Sequence, residues 1–198
     1  MTQRFETAIR RFDEENGHDP NKENGQPREL LYAQRLTDWV LRLCPDASET
    51  LRLAARCQHL RRWEIPRTQY PLSRAGYLKW RTDLKKFHAR RAGEILAEAG
   101  YDNETIQRVR DLNLKKNFPS DPDCRVLEDA LCLVFLEFQF ADLAAKTSDD
   151  KMINALKKSW QKMTEAGRAE ALKLKYGERE RALIQRGLNP GTSEDKRR

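Results

Sequence analysis

The segment from Cys124 to Ala145 constrains this chain more than any other, because between Ala130 and Phe140 it is apolar on nearly every face. A helix that is apolar all round has to be covered all round, by other helices or by lipid. Lipid is a poor answer here, since Glu128, Asp129, Glu137 and Asp142 interrupt the run. Four acids across about 20 residues do not fit an ordinary membrane span. The cover must come from the rest of the chain, which has only nine Gly and eight Pro and long stretches of Ala, Leu, Glu, Lys and Arg. Those residues favour helix intrinsically. The expectation is an all-α fold, a single compact multi-helix domain over residues 1–188, followed by a disordered polar tail, NPGTSEDKRR, over 189–198.

Periodicity and capping chemistry place the helices. Phe5, Ala8, Ile9 and Phe12 recur at helical spacing and predict a helix over 2–15. NGHDPNKENGQP then reads as an exposed loop holding His18. Further helices are expected over 28–44, 47–62, 73–99, 102–115, 124–145, 149–166, 165–176 and 178–186. Gly100 stops the long fourth helix, and Ile65-Pro66 ends the third, because proline disfavours helix in the residue before it. Four cysteines without a CxxC pair suggest a reducing compartment. The opening MTQRFETAIRRF lacks the apolar core of a signal peptide. A cytoplasmic protein without membrane association is the expectation.

Charge is concentrated rather than spread. The formal total is +7, yet residues 56–91 alone carry eleven Lys or Arg against Glu64 and Asp83, a net +9. Arg61, Arg62, Arg67, Arg81, Lys85 and Lys86 lie close in sequence to His59 and His88, with Lys115-Lys116 further on. Guanidinium forks match phosphate oxygens, so such a cluster aimed at one cavity makes an anion site. The plain alternative is a solvated basic face. Trp63, Tyr70, Tyr77 and Trp80 are interleaved with these charges, a mixture that stacks bases or fills a core.

His59, His88 and Asp129 each put a polar group into helical, partly apolar surroundings. Imidazole and carboxylate together suit a divalent transition metal. Each also has a structural reading. His59 could donate to a backbone carbonyl at a helix end, His88 could cover apolar surface beside Phe87, and Asp129 could meet an arginine or a helix N-terminus.

The order of these features resembles the HD-domain phosphohydrolases, an all-helical fold with a His, a His-Asp pair and a later Asp around one or two metals. LAARCQHLRR stands in the place of the pair, FHARRAGEILAEAG carries the following histidine, and LEDALCLVFLE opens on the last aspartate. The pair itself reads Gln58-His59, and Tyr32 or Gln34 stands where the first histidine is expected. The segments PRELLYAQR, QHLRRWEIPR, GYLKWRTDLKKFHA and LEDALCLVFLE are similar over nearly the whole chain to a family of uncharacterised bacterial and fungal proteins. Fungal members are often labelled glutamyl-tRNA synthetase-like.

The resemblance implies a metal-dependent phosphohydrolase acting on a small phosphorylated or nucleotide substrate. His59, His88 and Asp129 would hold one divalent cation, with Glu128 or Glu137 as general base. Arg61, Arg62, Trp63, Arg67, Arg81, Lys85, Lys115, Gln58 and Tyr32 would bind substrate. The alternative is an RNA-binding module, for tRNA, or a small-anion-binding module without catalysis.

Overall fold

The computed structural model describes residues 2–188. Helix starts follow capping chemistry: Thr2, Ser48, Ser73, Asp102 and Thr164 each accept, through the side chain, a hydrogen bond from the amide three residues on. Each such bond satisfies one of the amides that a first helical turn leaves bare. The helices are α1 (Gln3–Gly17), α2 (Arg28–Leu43), α3 (Glu49–Arg56), α4 (Arg74–Glu98), α5 (Asn103–Leu114), α6 (Pro122–Phe138), α7 (Phe140–Ala145), α8 (Asp149–Lys162), α9 (Glu165–Lys173) and α10 (Glu178–Leu188). The chain is all-α as its sequence predicts. Among the described residues the only strands are β1 (Lys22–Glu23) and β2 (Gln26–Pro27), a two-residue antiparallel hairpin. It lies inside the segment expected to be a plain loop. Its turn is Asn24-Gly25, both at positive φ, the backbone that an Asn-Gly hairpin adopts.

Backbone contacts group the chain into two compact units, the first ending at Leu127 and the second beginning at Glu128, inside α6. Short α3 forms the middle of the first unit. It packs on α1, α2 and α5 and fully buries Leu51, Leu53, Ala54 and Ala55. Each buried leucine contributes about 1.5–3 kcal/mol relative to exposure. α4 and α5 pack so closely that a Cβ on Gly93 would stand 2.5 Å from Arg110 Nε. α4 closes on Gly100, whose φ of +84 lets Tyr101 N–H return to the Leu96 carbonyl. α5 closes with the same geometry, Lys116 N–H returning to the Asp111 carbonyl at 2.9 Å, but there the left-handed residue is Lys115.

Two helices differ from expectation. α3 stops at Arg56 rather than near Arg62, and Cys57–Leu60 form a turn that leads into left-handed Arg61 and a short 3₁₀ turn, Arg62–Glu64. His59 therefore sits on a turn, not on a helix. The apolar run after Cys124 is broken at Gln139 into α6 and α7, since Gln139 (φ −126, ψ −19) leaves the helical region.

In the second unit α8 and α10 pack together, and Phe140 is buried edge-on against Tyr176 with ring centroids 6.2 Å apart. Among the described residues no helix is long and apolar enough to cross a membrane. The tail read as disordered, 189–198, lies outside the described residues.

Candidate functional site

Two of the three singled-out polar groups come together in the first unit. The His59 and His88 ring centroids are 5.7 Å apart, with planes inclined at 36°. The third member of the cluster is Glu29, at the start of α2. Its Oε2 lies 3.2 Å from His59 Nδ1, and its Oε1 lies 3.8 Å from Arg62 Nε.

The last turn of α1 and the polar loop after it hold these pieces in register. Buried Asn16, in α1, accepts the Arg61 N–H at 3.0 Å and donates from Nδ2 to the Glu29 carbonyl at 3.4 Å. Buried Asp19, in the loop, accepts the Glu29 N–H at 3.0 Å. Together they fix both the Glu29 backbone and the turn that carries His59. On the far side of that turn, His88 donates Nδ1–H to the Leu60 carbonyl at 2.8 Å. That bond fixes the tautomer and leaves Nε2 as an acceptor. This Nε2 is buried without a hydrogen-bond partner, as are Gln58 Oε1 and Asn113 Oδ1. Asn113 Nδ2 in turn lies 3.1 Å from Cys57 Sγ on the same turn.

Tyr32 stacks flat on His59, 4.1 Å between centroids and 12° between planes. The His59 side chain keeps 21% of its exposure while His88 keeps 3%, so His59 is the imidazole that a ligand from solvent meets first. No group among the described residues hydrogen-bonds its Nε2.

Burial dominates the electrostatics. It raises Glu29 from the ordinary carboxylate range to about 7, against the pull of Arg62 and Arg28 and with a further push from Asp19. It lowers His88 to about 3, helped by His59. His59 is held well below its usual value by burial and then by the positive charges of Arg62, Arg81, Lys115 and Arg28. Both imidazoles are neutral at physiological pH, and four cations bear on the more exposed one.

The expected basic residues divide. Arg62 lies over the Trp80 ring at 5.0 Å while facing Glu29. Arg81 is exposed, and Lys115 is partly so. Arg61 is taken by the fold, pairing with Glu15 and Glu64, and Arg67 donates to the Tyr70 and Pro71 carbonyls. Trp63 and Lys85 are half-buried, Trp63 in the 3₁₀ turn after Arg61 and Lys85 on α4.

The remaining acids belong to the second unit. Asp129 is buried and accepts both the Thr164 N–H, at 2.8 Å, and the Thr164 hydroxyl. It thereby anchors the start of α9, where a Cβ on Gly167 would stand 2.5 Å from the Asp129 carboxyl carbon. That is a helix N-terminus, as the dipole argument allows, but on a different helix from its own. Buried Glu128 pairs with Lys162 at 3.3 Å, and Glu137 is exposed, its charge adding to the burial that raises the Tyr176 pKa. Among the described residues no three His, Cys, Asp or Glu side chains form a group that could hold a metal ion. As arranged, the donors do not fit the metal implied by the phosphohydrolase resemblance.

Sequence reasoning missed Glu29, Asp19 and Asn16. The signal was a cluster of Asn and Asp ahead of an acidic first helical turn, in a segment that composition marks as solvent-exposed.

A model of the family described as "Domain of unknown function (DUF4202)" matches residues 6–184. No curated protein and no solved structure matches the chain.

Proposed function

The chain belongs to the DUF4202 family, a domain of unknown function, and we propose that its first unit binds the phosphoryl group of a small phosphorylated molecule and hydrolyses it. The observation that carries this reading is the cluster of His59, His88 and Glu29 faced by Arg62. Burial and the positive charges of Arg62, Arg81, Lys115 and Arg28 keep its His59 ring neutral. The one carboxylate beside that ring, Glu29, is itself half protonated near neutral pH. A partly buried region with this excess of positive charge attracts a compact polyanion, because each opposite charge at about 4 Å is worth roughly 4 kcal/mol in surroundings of intermediate dielectric.

The chemistry follows from the same atoms. With Glu29 ionised, its carboxylate accepts the His59 Nδ1–H at 3.2 Å. The ring then carries its lone pair at Nε2. Tyr32 fixes the ring plane, so little reorganisation is needed at the reacting atom. The phosphohydrolase resemblance points to the same substrate class.

RNA binding has weaker support, because the interleaved aromatic groups serve the fold. Trp80 donates to the Ile65 carbonyl at 2.8 Å, and the Tyr70 hydroxyl donates to Asp83 at 3.0 Å.

Calorimetric titration with inorganic phosphate and pyrophosphate tests the proposal. Saturable binding that weakens at least tenfold in the Arg62→Met/Arg81→Met double variant is expected. Absence of binding, or binding that survives the double variant, refutes it. A short RNA bound more tightly than pyrophosphate, with affinity falling steeply in salt, would favour the RNA reading.

A further inference from the structure

We propose that His59 is a phosphoryl acceptor: its Nε2 attacks the bound phosphoryl group and forms a phosphohistidine that water then hydrolyses. The inference rests on the phosphate-binding reading of the same site and adds a covalent step to it.

Four features of His59 point to nucleophile rather than base. Its Nδ1 is engaged by Glu29, so Nε2 is the reacting nitrogen. The ring is stacked flat on Tyr32 and its side chain is only half-buried. Burial, and then the positive charges of Arg62, Arg81, Lys115 and Arg28, disfavour protonation, which keeps the lone pair available. A general base works best with an affinity for protons matched to the operating pH, and these cations deny His59 that affinity. They also favour a ring that carries a phosphoryl dianion over one that carries a proton. His88 cannot take the role, since its ring is buried.

The step balances within the site. The Nε2 lone pair forms the new P–N bond as the bond from phosphorus to the leaving group breaks, and the leaving group departs with that electron pair. In an acyl phosphate the bond broken is P–O and the carboxylate is released; in phosphoramidate it is P–N, and the nitrogen, already protonated, leaves as ammonia. The Nδ1 proton of the resulting imidazolium passes to the Glu29 carboxylate. In the second half, water attacks phosphorus and the P–N electron pair returns to Nε2. Glu29 gives its proton back to Nδ1, inorganic phosphate leaves, and the proton of the attacking water goes to solvent. For an acyl phosphate or phosphoramidate donor the leaving group needs little or no protonation, so no further acid is required to load the ring.

The test uses the full chain with radiolabelled acetyl phosphate and, separately, phosphoramidate. Expected is a covalent label that is stable in alkali and lost in acid, mapped by peptide mass spectrometry to His59 in the wild-type protein. His59→Asn should abolish it. Glu29→Gln should slow loading at least tenfold, because the neutral amide cannot take the Nδ1 proton. Mapping on the wild type keeps the test decisive even where His59→Asn fails to fold. No label from either donor at concentrations that saturate inorganic phosphate binding, or label confined to another residue, overturns the inference while leaving the binding site standing. Failure of inorganic phosphate to bind at all overturns both.

Discussion

Lys115 offers a variant in which stability and function should move in opposite directions. It closes α5 in the left-handed conformation, φ 57 and ψ 38, with the amides of Lys115 and Lys116 returning to the Leu112 and Asp111 carbonyls. A residue with a Cβ pays about 1–2 kcal/mol for that backbone, whereas glycine adopts it readily. Glycine returns part of this gain through the greater freedom of its unfolded chain, about 0.5–1 kcal/mol. Lys115→Gly should therefore stabilise the protein by about 0.5–1 kcal/mol, raising Tm by about 1–4 °C in a chain of this size. The same change deletes one of the four cations bearing on His59. A partly solvated charge of this kind is worth up to about 1 kcal/mol, so phosphate affinity should fall about fivefold. Lys115→Ala separates the two effects, since it removes the charge and keeps the strain. It should lose the same affinity without the gain in Tm. Scanning calorimetry and phosphate titration on the three proteins read both quantities. A glycine variant that melts lower than the alanine variant refutes the strain argument. Unchanged phosphate affinity in both refutes the role of Lys115 in the site.

Three further outcomes follow from the same geometry. Glu29, raised from 4.5 to about 7 when folded, contributes fully to stability below its unfolded value, and that contribution drains away as pH rises through 7, a change of about 3 kcal/mol. His88, lowered from 6.5 to about 3, acts oppositely, its contribution being present above pH 6.5 and lost as pH falls toward 3. His59 is lowered too and adds to that acid limb, so urea midpoints should rise to a maximum near pH 6.5, and Glu29→Gln should abolish the fall above it while leaving the acid limb. In the second unit, Asp129→Ala should cost about 1–3 kcal/mol by stranding the Thr164 amide and hydroxyl. Gly167→Ala should cost a similar amount through overpacking against the same carboxylate; thermal melts that show no loss in either would sink the anchor reading. Elemental analysis of the purified protein should find no stoichiometric transition metal, and chelators should leave phosphate binding intact. Near-stoichiometric metal that vanishes in His88→Ala would reinstate the metal-dependent hydrolase.

Most helices were legible because their information is local. The start at Ser73, the stop at Gly100, the cap at Asp102 and the apolar steps between them locate α4 and α5 to within a residue or so at each end. What was not legible depends on contacts distant in sequence. Nothing near Arg61 announces a left-handed backbone; it is held there by Asn16, 45 residues away. Gln139 breaks the helix at a point where helix-favouring, largely apolar sequence stands on both sides. Arg61 and Arg62 are indistinguishable as neighbouring cations, yet one is bound into an ion-pair network with Glu15 and the other faces Glu29 and Trp80. The two histidines could be singled out by their rarity, since only three occur in the chain. Their carboxylate could not, because Glu29 sits in a stretch whose composition argues for exposure.

The distribution of unfavourable features argues for function at this place independently of any resemblance. A carboxylate and the His88 imidazole are buried beside a second, half-buried imidazole, His59, though burying a charge or an unpaired polar group costs several kcal/mol. The buried acceptors His88 Nε2, Gln58 Oε1 and Asn113 Oδ1 lack hydrogen-bond partners, and all three belong to the Cys57–Leu60 turn or are bonded to it. Left-handed Arg61 follows that turn directly, and left-handed Lys115 lends its charge to His59. Selection for stability alone would remove such features one at a time, as glycine at 115 or an apolar residue at 88 would do. Their accumulation around one partly exposed imidazole is what a binding site requires, since polar atoms must be left unsatisfied by the protein if a ligand is to satisfy them.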